Sequence, residues 1–490
     1  MKRKNLADIL HGNFDKINDP AVFASASQFA TAVRWSILLR KTVILDLIGS
    51  LDKATVIADE CALMAERSGI KKLMADSYLS LSEIRSDAGD FEAVMTSSKR
   101  ALVLFQKIGD VNGQAWAFNQ LARAHSFLGE PGLAADEHNQ AEALFQKTDN
   151  LEGLAYTYNN LAIKYWRDGD VAKAKQYFEQ ALGFFEKLGM KQQISLGLNN
   201  VGTVFQRIGE YEKSDDYFDR ALRIRKEVGD KRGIATCMNN LGMNDMLQGN
   251  LRRAIARFNE SLRIREETGE IKETGVVLSN MANAYSKLGD YAKAFELYGN
   301  ARIIKKRMGD EYSLAITDVY LALTTIEAGN REVTEDIMAE LEQINERLHN
   351  QEINARLNET KLMLKLELGM PPDRGFKQRL ADDIAIAEKN NLQVRVATLK
   401  MILGRFCTME KNLPYARGAL EDALVIFRKL KDVYNQGRVL YYLGRVQAEE
   451  GMSAEAEGTL EEALAIFRRI EATVWTIRVT SLLQRFQTGQ

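Results

Sequence analysis

Glycine returns every 40 residues through most of this chain, at Gly49, Gly89, Gly129, Gly169, Gly209, Gly249, Gly289, Gly329 and Gly369. A second series, Gly69, Gly109, Gly189, Gly229, Gly269 and Gly309, falls half a period away, with Asp149 and His349 at the two steps where glycine is missing. A helix closes its last carbonyls with least strain through a left-handed residue, a conformation glycine adopts without a side-chain clash. Two such stops per period divide the chain into helical hairpins. Little else interrupts them, because five prolines in 490 residues is about a fifth of average usage. Between stops the spacing is helical: from Asp170 to Lys187, Ala174, Phe178, Ala181, Leu182 and Phe185 share one face, and Lys173, Gln176, Gln180 and Lys187 the other. One hairpin cannot bury that stripe alone. The pattern predicts an all-α superhelical solenoid whose repeats touch mainly their neighbours.

The residues Tyr158, Leu161, Ala162, Tyr165, Gly169, Ala174, Phe178 and Ala181 resemble the tetratricopeptide-repeat signature, and the match recurs. One small position returns as Ala54, Ala134, Ala174, Ala254, Ala294, Ala416 and Ala456, with Ser214 as a substitute; a second returns as Ala101, Ala141, Ala181, Ala221, Ala301, Ala423 and Ala463. Small side chains let two helices approach closely, and Phe178, Phe218, Phe258 and Tyr298 fill the space beside them. The family's usual proline after the second helix is absent. The 40-residue period exceeds the usual length of about 34 and is similar to the extended repeats of cell-polarity adaptors, kinesin light chains and bacterial signalling sensors. The expected division is a non-repeat helical segment over 1–29, with a helix start at Asn18, Asp19 and Pro20, then eight hairpins over 30–349. Degenerate hairpins over 350–471, turning near Lys411 and at Gly451, and a capping helix over 472–490 complete it. The small positions are lost at Thr334 and Leu341, and Pro371 and Pro372 fall where the period stretches to 42 residues, so a seam or altered curvature is expected between about 330 and 390.

Charge narrows the partners. With 66 basic against 67 acidic residues, no global field draws the chain to nucleic acid, and a helical-repeat RNA binder would need a basic excess. The most apolar region, Ala30 to Gly49, carries Arg34, Arg40, Lys41 and Asp46, which argues against membrane insertion. Met1 to Gly12 has no apolar stretch of secretory type, and Cys61, Cys237 and Cys407 are too widely spaced for a redox pair or a disulfide framework, so a cytoplasmic location is expected. No phosphate loop, dinucleotide fingerprint, nucleophile elbow or zincin motif occurs, so neither an enzyme nor a cofactor or metal is expected. His125 and Cys407 occupy the slot of Tyr165, His138 that of Phe178, and Cys61 that of Ala181; each reads as packing.

The informative polar feature is a ladder of amides: Asn119-Gln120, Asn159-Asn160, Asn199-Asn200, Asn239-Asn240 and Ser279-Asn280, at 40-residue steps. Asparagine is a poor interior helix residue, costing up to about 0.7 kcal/mol against alanine, so its repetition asks for a compensating contact. An amide both donates and accepts, which suits the backbone of an extended peptide; equally, one amide of each pair can bond the neighbouring helix and hold the repeat spacing. The resemblance places these helices on a concave surface. There the repeat register sets Trp116, Arg123, Tyr156, Trp166, Arg167, Arg207, Asn283 and Lys287 beside the ladder, with Met243, Met246 and Leu247 as an apolar section or as core. Rings and cations together suit a ligand with hydrophobic and acidic side chains. The sequence thus predicts a scaffold or adaptor binding a partner's peptide segment, or alternatively a peptide-responsive receptor controlling a regulator or enzyme. Self-assembly through the end helices and the oligomeric state stay open.

Overall fold

The computed structural model describes residues 26–47, 51–370, 375–389 and 392–488. The turn at Gly49, the Asn18-Asp19-Pro20 helix start and Pro371-Pro372 lie outside the described residues. The described helices are α1 (Ala26–Leu47), α2 (Leu51–Ser68), α3 (Lys71–Ala88), α4 (Phe91–Ile108), α5 (Val111–Leu128), α6 (Pro131–Lys147), α7 (Leu151–Arg167), α8 (Val171–Lys187), α9 (Lys191–Arg207), α10 (Tyr211–Glu227), α11 (Lys231–Leu247) and α12 (Leu251–Thr268). They continue as α13 (Ile271–Leu288), α14 (Tyr291–Arg307), α15 (Glu311–Glu327), α16 (Arg331–Leu348), α17 (Gln351–Glu367), α18 (Phe376–Lys389), α19 (Gln393–Met409), α20 (Leu413–Lys429), α21 (Val433–Glu449), α22 (Ser453–Arg469) and α23 (Thr473–Thr488). The chain forms two compact units, the first ending at Val204 and the second beginning at Phe205.

The glycine stops act through their backbone. Gly89 sits at φ 81°, its N–H bonds Ser86 O at 3.2 Å, and the next N–H, of Asp90, bonds Arg85 O at 3.0 Å. Asp90 then starts the following helix by accepting from the Ala93 N–H. Asp110, Asp170, Asp230, Asp290 and Asp310 repeat that cap, so stop and start signals sit on adjacent residues. Asp149 and His349 take the left-handed conformation at φ 50° and 47°, as their register predicts, and Lys411 does so at 61°. Two further stops, Lys431 at φ 52° and Glu471 at φ 58°, were not predicted from the sequence.

The small positions are the helix contacts: Ala54, Ala134, Ala174, Ala254, Ala294, Ala416 and Ala456 are buried, as are Ala101, Ala141, Ala221, Ala301, Ala423 and Ala463. Phe218, Phe258 and Tyr298 fill the adjoining space. Thr334 and Leu341 are also buried, so the lost small positions in α16 remain core positions with larger occupants. The first helices of successive hairpins pack on one another within each unit, α3 on α5 and α5 on α7, then α11 on α13 and α13 on α15.

In the second unit, contacts also reach beyond neighbouring repeats. There the turns at 430–433 and 470–474 return to the turns at Gly209, Gly249 and Gly289. A Cβ on Gly209 would lie 3.0 Å from Leu430 Cδ2, one on Gly249 2.7 Å from Ile470 Cγ2, and one on Gly289 2.8 Å from Val474 Cγ2. The left-handed glycines Gly229, Gly269, Gly309 and Gly329 of the same unit face open space. Repeats far apart in sequence therefore meet, which the register within one repeat cannot encode.

Candidate functional site

The amide ladder is bonded to itself. Asn160 Nδ2 donates to Asn119 Oδ1 at 3.0 Å and Asn200 Nδ2 to Asn159 Oδ1 at 3.2 Å in the first unit. In the second, Asn280 Nδ2 donates to Asn239 Oδ1 at 2.9 Å. The second amide of one pair thus reaches the first amide of the pair before it, tying adjacent first helices at a fixed spacing. Each bond uses one of two donor hydrogens and one of two acceptor lone pairs, so hydrogen-bonding capacity remains on both partners. Asn119 and Gln120 are buried, whereas Asn159, Asn160, Asn199, Asn200, Asn239, Asn240, Asn280 and Asn283 are half-buried. Gln206 Nε2 adds bonds to Asn240 O at 3.2 Å and Asn244 Oδ1 at 2.7 Å.

The rings beside the ladder form a run through the first unit. Trp116 meets Phe145 and Tyr156 edge-on, at 5.1 and 5.5 Å between ring centres, and Tyr156 meets Phe185 at 5.4 Å. Tyr156 Oη accepts from Gln193 Nε2 at 3.1 Å, and burial pushes its phenol well above the ordinary range. Trp116 and Tyr156 are therefore part packing and part surface. Trp166 is half-buried.

The cations are mostly engaged. Arg123 lies 3.5 Å from Asp87. Arg167 donates to Ser126 O at 3.1 Å and stacks on Phe127 at 4.2 Å, and Arg207, though exposed, also has partners. Lys287 lies 3.9 Å over the Tyr434 ring, and burial pulls its pKa down against the attraction of Asp432 and Glu327. Met246 is core at 2% exposure. His125 is buried with Nδ1 2.7 Å from Glu137 Oε2, and His138, also buried, is driven down to about 4, so it is neutral.

The sequence reading missed a cluster around Lys287. Tyr434 Oη donates to Glu327 Oε2 at 3.1 Å and accepts from Trp475 Nε1 at 2.8 Å. Arg438 lies 3.6 Å from Glu327, and Arg478 donates to the Glu327 carbonyl at 2.9 Å while lying over Trp475. Arg405 bridges Glu367 at 3.0 Å and covers Tyr442. Arg438 and Arg478 stand 40 residues apart, a signal hidden by the stretched period before Lys411.

These features define an α-helical hairpin-repeat protein with amide-lined first helices. Tetratricopeptide-repeat family models match residues 193–267, 154–188 with 274–308, and 437–462, so these segments carry tetratricopeptide repeats. The fold is similar to that of a Rap protein solved in complex with competence and sporulation factor, at TM-score 0.58 and 15% identity over 73% of this chain and 98% of that one. It is similar also to the apo form of RapI, at TM-score 0.52 and 14% identity over the same shares. No curated protein matches the sequence. No described helix is long and apolar enough to cross a membrane.

Proposed function

We propose that this protein binds an extended peptide segment of a protein partner along the amide-lined faces of its first helices, as an adaptor or as a receptor that passes binding on to a regulator. The observation that carries this reading is the self-bonded amide ladder. Bonds from repeat to repeat fix the side chains before a ligand arrives, so little conformational freedom is lost on binding, while the remaining donors and acceptors can serve a peptide backbone. Asn159 and Asn199 are its main contacts in the first unit, with Trp166 as an apolar anchor, and Asn239, Asn283 and Arg207 are the corresponding positions in the second. Asn119 holds spacing from a buried position by accepting from Asn160, and Gln120 is buried beside it. Arg123 already has Asp87 beside it, which reduces the pull on acidic ligand side chains and puts more weight on backbone recognition. The Rap protein crystallised with competence and sporulation factor offers a fold-level analogy for a peptide ligand.

The test is selection of a random-peptide phage library on the immobilised protein, followed by titration of the enriched peptides. Loss of two amide contacts, each worth about 1 kcal/mol, should weaken binding to Asn159→Ala/Asn199→Ala about tenfold or more with helicity kept. Equal affinity for both proteins, or no enrichment, would refute the reading.

A further inference from the structure

We propose that the second unit carries a latch: the turns at 430–433 and 470–474 seat reversibly on the turns at Gly209, Gly249 and Gly289, and their release uncovers Lys287 and Glu327 for ligand. The latch itself is read from contacts alone; only its role in ligand access rests on the peptide-binding reading.

Three observations converge on this seam. First, it is lined by the crowded glycines. Of the left-handed glycines with described surroundings, Gly209, Gly249 and Gly289 stand where a second layer of turns closes over them. Gly249 faces both Ile470 and Val433, and Gly289 faces the Val474 backbone N at 3.2 Å as well as its side chain. Second, the opposing turns carry Lys431 and Glu471 in a conformation that glycine would take without strain. Both side chains cross the seam: Lys431 Nζ donates to Glu212 Oε1 at 2.7 Å, and Arg252 Nε to Glu471 Oε2 at 2.6 Å. Thr473 Oγ1 adds a bond to Leu288 O at 2.5 Å.

Third, beside those close apolar contacts the seam carries polar groups. Its inner side consists of Lys287 on Tyr434, Tyr434 on Glu327, and Arg478 on the Glu327 carbonyl. A cleft of about 460 Å³ lies along it, bounded by Gln248, Arg428, Lys431, Gln436 and Arg469 among others, and Gln248 Nε2 in its wall is buried without a hydrogen-bond partner. Exposed ion pairs and a loosely filled cleft are features of contacts that separate and re-form, unlike the alanine-lined helix contacts beside them. A ligand preferring the released form would shift the population toward it, and its apparent affinity would fall by the fraction of molecules released in its absence.

The experiment compares Gly249→Ala/Gly289→Ala with Gly229→Ala/Gly269→Ala by hydrogen exchange and mass spectrometry, without ligand. All four glycines have positive φ, but only the first two face the second layer, so backbone strain is common to both proteins and crowding at the seam is not. Exchange at 430–436 and 470–478 should quicken at least tenfold in the first variant alone. Equal exchange in the two variants would overturn the latch. Should the first variant not fold, Lys431→Glu/Glu471→Lys breaks both pairs, and adding Glu212→Lys/Arg252→Glu restores them with exchanged polarity. Loosening that the second pair reverses supports the latch, and unchanged exchange refutes it. These readings need no ligand, so they stand apart from the phage selection; the released variant should then bind a selected peptide more tightly, and unchanged affinity would remove the ligand-access role alone.

Discussion

Phe105, Phe145 and Phe185 stand at one register position, and its next three occupants are Arg225, Arg265 and Lys305, all buried. Each cation finds oxygen or sulfur acceptors. Arg225 donates to Gly233 O at 2.7 Å and Cys237 Sγ at 3.2 Å, and Arg265 to Glu270 at 3.1 Å and Thr236 at 3.2 Å. Lys305 is held by neutral oxygens, Ser279 Oγ at 2.9 Å, Thr317 Oγ1 at 2.5 Å and Ser313 O at 3.2 Å. Burial therefore drives its ammonium down to about 8, with Asp310 and Asp318 opposing. The unfolded value is about 10.4, so between these two pH values the unfolded chain binds more protons and stability rises with pH; below pH 8 the full cost of burying the charge is present. Lys305→Met removes that cost while Ser279 and Thr317 can still bond each other. At pH 7 the variant should be at least as stable as wild type in urea unfolding. The wild type should then gain on it by at most about 3 kcal/mol toward pH 10.4, and parallel pH profiles would show that the amine is not buried in charged form. A sequence shows such residues as charges on a helix; that they are core emerges only when 40-residue register puts them under the phenylalanines.

Helices and their stops were the most legible feature, because stop and start signals are local. Gly-Asp pairs mark both in one dipeptide, and the register alone placed Asp149 and His349 in left-handed turns. Lys431 and Glu471 escaped notice because their side chains give no local turn signal; they bond across the seam to residues more than 200 positions away. Glycines within helices show the same dependence on neighbours. Gly153 in α7 has no room, since a Cβ would fall 2.3 Å from the Phe145 ring, whereas Gly183 in α8 and Gly299 in α14 face open space. Alanine is the better helix former by about 1 kcal/mol, so Gly183→Ala and Gly299→Ala should each raise stability by about 0.5–1 kcal/mol. Gly153→Ala should instead lower it by about 1–3 kcal/mol through overpacking against a fully buried ring. Thermal unfolding of the three variants checks this, and a stabilised Gly153→Ala would mean that Phe145 moves aside freely.

At the scale of the whole molecule, an open solenoid behaves as a line of repeats in which damage to one is felt by its neighbours. The second unit departs from that because α23 touches helices that precede it by several hairpins. Trp475, at 2% exposure, stacks on Phe467 within its own neighbourhood and also bonds Tyr434, whose hydroxyl reaches Glu327. The amide ladder was legible because it repeats along the line; this connection was not, because it runs across it. Truncating a buried tryptophan costs about 3–5 kcal/mol, and a nearest-neighbour array would confine the loss to α21, α22 and α23. Trp475→Ala should instead also loosen the ends of α13 and α15, where Lys287, Leu288 and Glu327 lose the partners that hold them. Hydrogen exchange resolved by segment decides between these outcomes. Faster exchange restricted to residues after 433 would return the second unit to a simple line of repeats, whereas faster exchange at 284–290 and 324–329 as well would make the C-terminal helix a structural partner of the middle of the chain.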